Sequence, residues 1–114
     1  MTVANFGQIV PSQMGMLMLS GYRLTRENGR TEMLRCDEAA KVVTAMKEGR
    51  QILEKITKHD FGYSLDGWHN FLINDAKNSH GYMRSSTWGG VERAVKAEIE
   101  NPDRASLEAL ANQT

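Results

Sequence analysis

Apolar positions in the middle of the chain recur in steps of 3, 4, 3, 4 and 3: Ala39, Val42, Met46, Gly49, Leu53 and Ile56. That spacing is an apolar seam at helical period, widened by Val43 and Ile52, and it predicts a long helix over about 37–57. Asp37 is suited to cap it and Glu38 to its first turn. Lys41, Thr44, Lys47, Glu48, Gln51 and Lys55 fall on the opposite, solvated face. Gly49 is the odd member of the seam. A mid-helix glycine costs about 1 kcal/mol against alanine, so a neighbouring backbone is expected to pass close by, from a hairpin or from the same helix of a second chain.

Upstream, Asn28-Gly29 is a strong hairpin signal, because a type I′ turn needs positive φ at both central residues. A turn there pairs Leu24 with Met33 and Arg23 with Leu34, giving a β-hairpin over about 17–36. A lone hairpin is marginal in water, so it is expected to lie on the long helix. Residues 1–13 show no sustained period, and Pro11 lacks an amide donor. They read as a loose N-terminal arm or an edge strand, before a single domain over 14–114.

Downstream, Leu65, Trp68, Phe71 and Leu72 share a helical face that starts at Ser64 or Asp66 and stops near Asn78-Ser79, with Gly81 marking the turn. Ser86 or Thr87 is placed to cap a further helix with Val91, Ala94, Val95 and Ile99 inward. Asn101-Pro102 opens a last one carrying Leu107, Leu110 and Ala111. The expected class is α+β, a hairpin packed on a long helix and followed by two to three shorter ones.

Composition narrows the function classes. The 114 residues carry 14 Lys plus Arg and 14 Asp plus Glu, so the formal net charge is zero. A general nucleic-acid coat or an acidic mimic needs a one-sided field, which this chain lacks. Balanced charge also leaves little repulsion between copies, which favours self-association. One cysteine, Cys36, forms no intrachain disulfide. The uncharged stretch 1–22 has no basic n-region, and Pro11 and Gly15 break its apolar run, so a cytoplasmic chain with no membrane contact is expected.

The aromatic residues gather in His59–Gly90, with both tryptophans and all three histidines. Trp and Tyr are favoured interface anchors, so Trp68, Tyr82 and Trp88, with Arg84 among them, are the candidate partner-binding residues if the patch is exposed; the competing fate is burial, since a core of this size needs its aromatics. Arg84, Ser86, Thr87 and Gly89 offer a cation, hydroxyls and a glycine at a helix start, a possible anion site. Capping alone also explains these residue types, and the G-K-[ST] order of a Walker A loop is absent. Asp60-Phe61-Gly62 spells the kinase metal-binding triplet without any accompanying kinase feature. The histidines lie ten and eleven residues apart, without the tight pairs that zinc sites use, so no metal site is expected. Met14, Met16 and Met18 alternate as a strand face does, a simpler reading than copper ligation.

No catalytic set and no cofactor emerges. An enzyme would need His69 or His80 beside Asp66 or Asp75 as its base, or a histidine brought to Cys36. The expectation is a non-catalytic binding or regulatory module, acting through a protein partner or as a homodimer. The alternative is a binder of nucleotide or nucleic-acid phosphate at Arg84–Gly90. The hairpin has an excess of two positive charges and the stretch from Val91 a deficit of two, a polarity suited to docking the hairpin on phosphate or to pairing one subunit's hairpin with another's acidic C-terminal helices.

Overall fold

A computed structural model describes residues 2–4, 9–27, 30–74, 81–83 and 85–113, with the backbone alone for 2–4, 24–27, 30–32, 85 and 86. The elements in order are β1 (Thr2–Ala4), α1 (Pro11–Leu19), β2 (Tyr22–Glu27), β3 (Arg30–Arg35), α2 (Ala39–Thr57), α3 (Leu65–Asn74), α4 (Ser85–Ile99) and α5 (Arg104–Gln113). The class is α+β, as the periodicities predict, with the hairpin ahead of the long helix and three shorter helices behind it.

The hairpin register is the one expected, Leu24 opposite Met33 and Arg23 opposite Leu34. The Asn28-Gly29 turn itself lies outside the described residues. Strand β1 adds to the far side of β3 in the order β1-β3-β2, with Val3 opposite Leu34. Residues 1 and 5–8 of the expected arm lie outside the described residues. Thr2–Ala4 is an edge strand, and Pro11 opens a helix.

That helix is the main departure from expectation. The Met14-x-Met16-x-Met18 alternation belongs to α1, and the hairpin begins at Tyr22 rather than at residue 17. Pro11 sits at the first helical position, where its missing N–H costs nothing. Gln13 reaches back, its Oε1 accepting from the Val10 amide at 3.1 Å. From Met16 to Leu19 every side chain is buried, so the helix is apolar all round and lies in the centre of the molecule. A short apolar run bears no period that separates a buried helix from a buried strand. Gly21, at φ +99°, makes the turn into β2, and its carbonyl accepts from the Cys36 amide, closing the hairpin base.

Helix α2 presents Val42, Met46, Gly49 and Leu53 inward, as its seam predicts. The backbone that passes Gly49 is that of α1, neither the hairpin nor a second chain. The seam is consumed inside one molecule. Asp37 is not the cap; Glu38 holds that position, with no side-chain capping hydrogen bond. In α4, Val91 and Val95 are buried, and Ala94 and Ile99 are packed against them. In α5, Ala111 is buried while Leu110 keeps 37% of its surface. No helix among the described residues is long and apolar enough to cross a membrane.

Candidate functional site

The aromatic segment folds into the molecule. Asp60 accepts the Gly62 amide at 2.7 Å, and Gly62 adopts φ +62°, forming a tight turn between α2 and α3. The carbonyl of Gly62 then receives the indole N–H of Trp68 at 2.9 Å. Arg50 grips the same Asp60 through Nε and Nη2, at 3.2 and 2.8 Å, and lies 4.7 Å over the Tyr63 ring. These guanidinium bonds, joined by the Gly62 amide, hold the Asp60 carboxyl down at about 2. The Asp60-Phe61-Gly62 triplet is thus a structural turn.

Trp68 and Tyr82 have no accessible surface. This corrects their assignment as partner anchors, since a ring without surface contacts no partner in this state. A core of this size needs its largest rings inside. Trp88 is half-buried. It stacks on the His69 ring at 6.2 Å and 14°, and meets Tyr82 edge-on at 4.9 Å. His69 Nδ1 and the Tyr82 hydroxyl are 2.8 Å apart. Burial pushes the His69 pKa below its ordinary value, with Lys96 acting the same way and Glu92 and Asp66 opposing. Burial likewise pushes the Tyr82 phenol far up.

The candidate anion site is only partly brought together. Thr87 is buried and donates its hydroxyl to Gln13 Oε1 at 2.8 Å, so it faces the core rather than an anion. Gly89 is exposed, and a Cβ added there would meet only the Arg93 side chain at 3.9 Å, so its lack of a side chain makes no cradle. Arg84 and the side chain of Ser86 lie outside the described residues. Of the possible bases, His69 is committed to Tyr82, while His80 and Asp75 also lie outside. Cys36 is buried, and burial pushes its thiol up against the pull of Arg23, Arg35 and Lys41, which disfavours the reactive thiolate. No group of three metal-ligating side chains occurs among the described residues.

The surface holds a different feature. A groove of about 780 Å³ runs between the hairpin base, the start of α2 and the joint of α4 with α5. Its floor is an ion pair: Arg35 donates from Nε and Nη2 to Glu98 Oε1 at 3.2 and 2.8 Å. The Arg35 Nη1 donates to the Cys36 carbonyl. Behind the floor, Arg104 meets the other Glu98 oxygen at 3.4 Å, Glu108 at 2.7 Å and the Tyr63 carbonyl at 3.3 Å. The walls are Ala39, Val42, Ala94, Ala97 and Leu107, with the half-buried Tyr22 ring. Burial and Glu98 raise the Tyr22 phenol, Arg35 opposing them. The rim carries Asp37, Glu100 and Asp103, all exposed.

Sequence reasoning did not find this groove, though one signal pointed toward it. The charge pairing expected between subunits is met instead by an ion pair within one chain, Arg35 with Glu98. Farther along the hairpin the register sets Glu27 opposite Arg30. No protein-family model matches this chain, and comparison with curated protein sequences and with solved structures gives no match.

Proposed function

We propose that this chain is a small cytoplasmic binding or regulatory module, without catalysis, that receives a protein partner or a second copy of itself in the groove between Tyr22, Ala97 and Leu107. The observation that carries this reading is the make-up of the groove. It is concave, of a size that accommodates side chains, and walled by small aliphatic groups. Its floor is already satisfied by Arg35, Glu98 and Arg104, so it offers shape and charge without an activated nucleophile or base. Phosphate binding at the start of α4 has less support, because the Thr87 hydroxyl is spent on Gln13.

The test compares the natural chain with Ala97→Trp, which fills the groove from an exposed position. Native mass spectrometry of the purified chain comes first. A dimer that Ala97→Trp dissociates supports self-association through the groove. If the chain is monomeric, affinity purification with the two proteins decides. Proteins held by the natural chain and lost by the variant support the reading; an identical set, or none, overturns it.

A further inference from the structure

Three rings meet where α3 packs on α4: His69 from α3, Tyr82 from the turn 81–83 and Trp88 from α4. Tyr82 has no accessible surface, and among the described residues its hydroxyl makes one hydrogen bond, with His69 Nδ1 at 2.8 Å. The phenol keeps its proton, since burial pushes its pKa far up. It therefore donates to Nδ1, and the proton of the neutral imidazole stands on Nε2. A second proton can enter the ring only at Nδ1. The phenol oxygen accepts the new N–H only by turning its own hydrogen into the dry core, where no acceptor meets it among the described residues. A buried donor without a partner is costly.

No charge nearby relieves this. Asp66 on α3 and Glu92 on α4 favour the imidazolium, while Lys96 on α4 opposes it. Lys96 and Glu92 also pair with each other, at 3.5 Å. Helix α1, which also packs against α3, contains no charged residue. Asp75, Lys77, His80 and Arg84 lie outside the described residues. The Trp88 ring, stacked on the imidazole, favours a cation as well. All of these act on the imidazole, and none takes the Tyr82 hydroxyl proton.

The tethers decide what gives way. Gln13 holds the Tyr82 carbonyl at 2.9 Å and the Thr87 hydroxyl at 2.8 Å, and Val91 and Val95 anchor α4 in the core. The Tyr82 ring has only its packing and the bond to His69. We infer that His69 and Tyr82 form an acid-operated latch, in which a proton on His69 Nδ1 turns the Tyr82 ring out of the core while Gln13 keeps the backbone of the turn and α4 in place. The latch is closed above about pH 6.5, the ordinary histidine value, and opens as pH falls below it. It is independent of the groove and of what the groove binds.

The experiment is an NMR titration of the full chain, with carbon-13 in the tyrosine rings and nitrogen-15 in the imidazoles. A soluble paramagnetic agent broadens each tyrosine ring according to its exposure. At about pH 8, above the ordinary histidine value, His69 should carry its proton on Nε2 and Tyr82 should be protected. As pH falls, Tyr82 should broaden in step with His69 protonation, while Tyr63 stays protected. His69→Gln keeps an acceptor for Tyr82 and removes the titration, so its Tyr82 should stay protected throughout. A Tyr82 ring that stays protected beside a protonated His69 would overturn the latch. So would exposure of Tyr63 and Tyr82 together, which is unfolding, or a chain that unfolds before His69 takes up its proton. Acid exposure of Tyr82 that persists in His69→Gln would overturn it too. If that variant does not fold, the comparison of Tyr82 with Tyr63 in the natural chain decides alone.

Discussion

A Cβ placed on Gly49 would stand 2.4 Å from the backbone nitrogen of Leu19 and 2.6 Å from the carbonyl oxygen of Gly15. Helices α1 and α2 therefore touch backbone to backbone, and no side-chain rotation relieves an added methyl. Gly49→Ala gains helix propensity of about 1 kcal/mol but forces the helices apart. A net loss of about 3 kcal/mol is expected in urea unfolding. Gly15→Ala makes the control. Its Cβ would meet the Leu53 and Ile52 side chains at 2.8–3.2 Å, which can shift, so about 1 kcal/mol is expected. Equal costs at the two sites would contradict the crossing.

Gln13 ties three segments together from a fully buried position. It donates to the Tyr82 carbonyl at 2.9 Å and accepts from Thr87 and from Val10. Gln13→Leu keeps the volume and takes away all three bonds. Loss of about 3 kcal/mol is expected, because buried polar groups lose their partner together. Combining it with Thr87→Val should cost less than the sum of the two, by about 1 kcal/mol. Strict additivity, measured in the same unfolding series, would remove the network.

Arg104 and Glu98 keep only 5% and 6% of their side-chain surface. Arg104→Leu leaves Glu98 with Arg35 and the Asn101 amide and takes the guanidinium from Glu108, for an expected loss of about 3 kcal/mol. The exposed pair Lys96–Glu92, at 3.5 Å, gives the contrast. Lys96→Ala should change stability by less than about 0.5 kcal/mol.

His69 has a folded-state pKa below its unfolded value of roughly 6.5. As pH falls through that value, the unfolded chain takes up the proton first. The stability contributed by neutral His69 is thus complete above about pH 6.5 and is lost as pH falls toward the native pKa. The melting temperature should drop between about pH 7 and pH 5, and His69→Gln should flatten that slope. A slope unchanged by the substitution would place the titration elsewhere.

The Cys36 thiol is buried, with its pKa raised. Labelling by a thiol reagent should be slow in the folded chain and should rise in step with global unfolding as urea is added. Fast labelling without denaturant would mean that the hairpin base opens on its own.

The Asn28-Gly29 signal placed the hairpin register, and periodicity made the long helix legible from sequence, because it has one wet face. In such elements the alternation of apolar and polar residues records the geometry directly. The same logic located α4 and α5 within a few residues. The helix α1 escaped it for the opposite reason: it is surrounded by other elements, so its residues carry no contrast between faces, and a run of methionine and leucine fits either structure. Only packing against Gly49 decides the matter.

The fate of the aromatic rings was equally out of reach of local pattern. Trp68 and Tyr82 have the composition of interface anchors, and the fold places them in the core, where area burial outweighs any other use. The groove depends on Arg35 meeting Glu98 across 63 positions of sequence. Sequence alone determined where charge and apolar faces lie along each element. Tertiary structure decided which of those faces meet, because long-range contacts are fixed by the packing of the whole chain and leave no periodic trace in it.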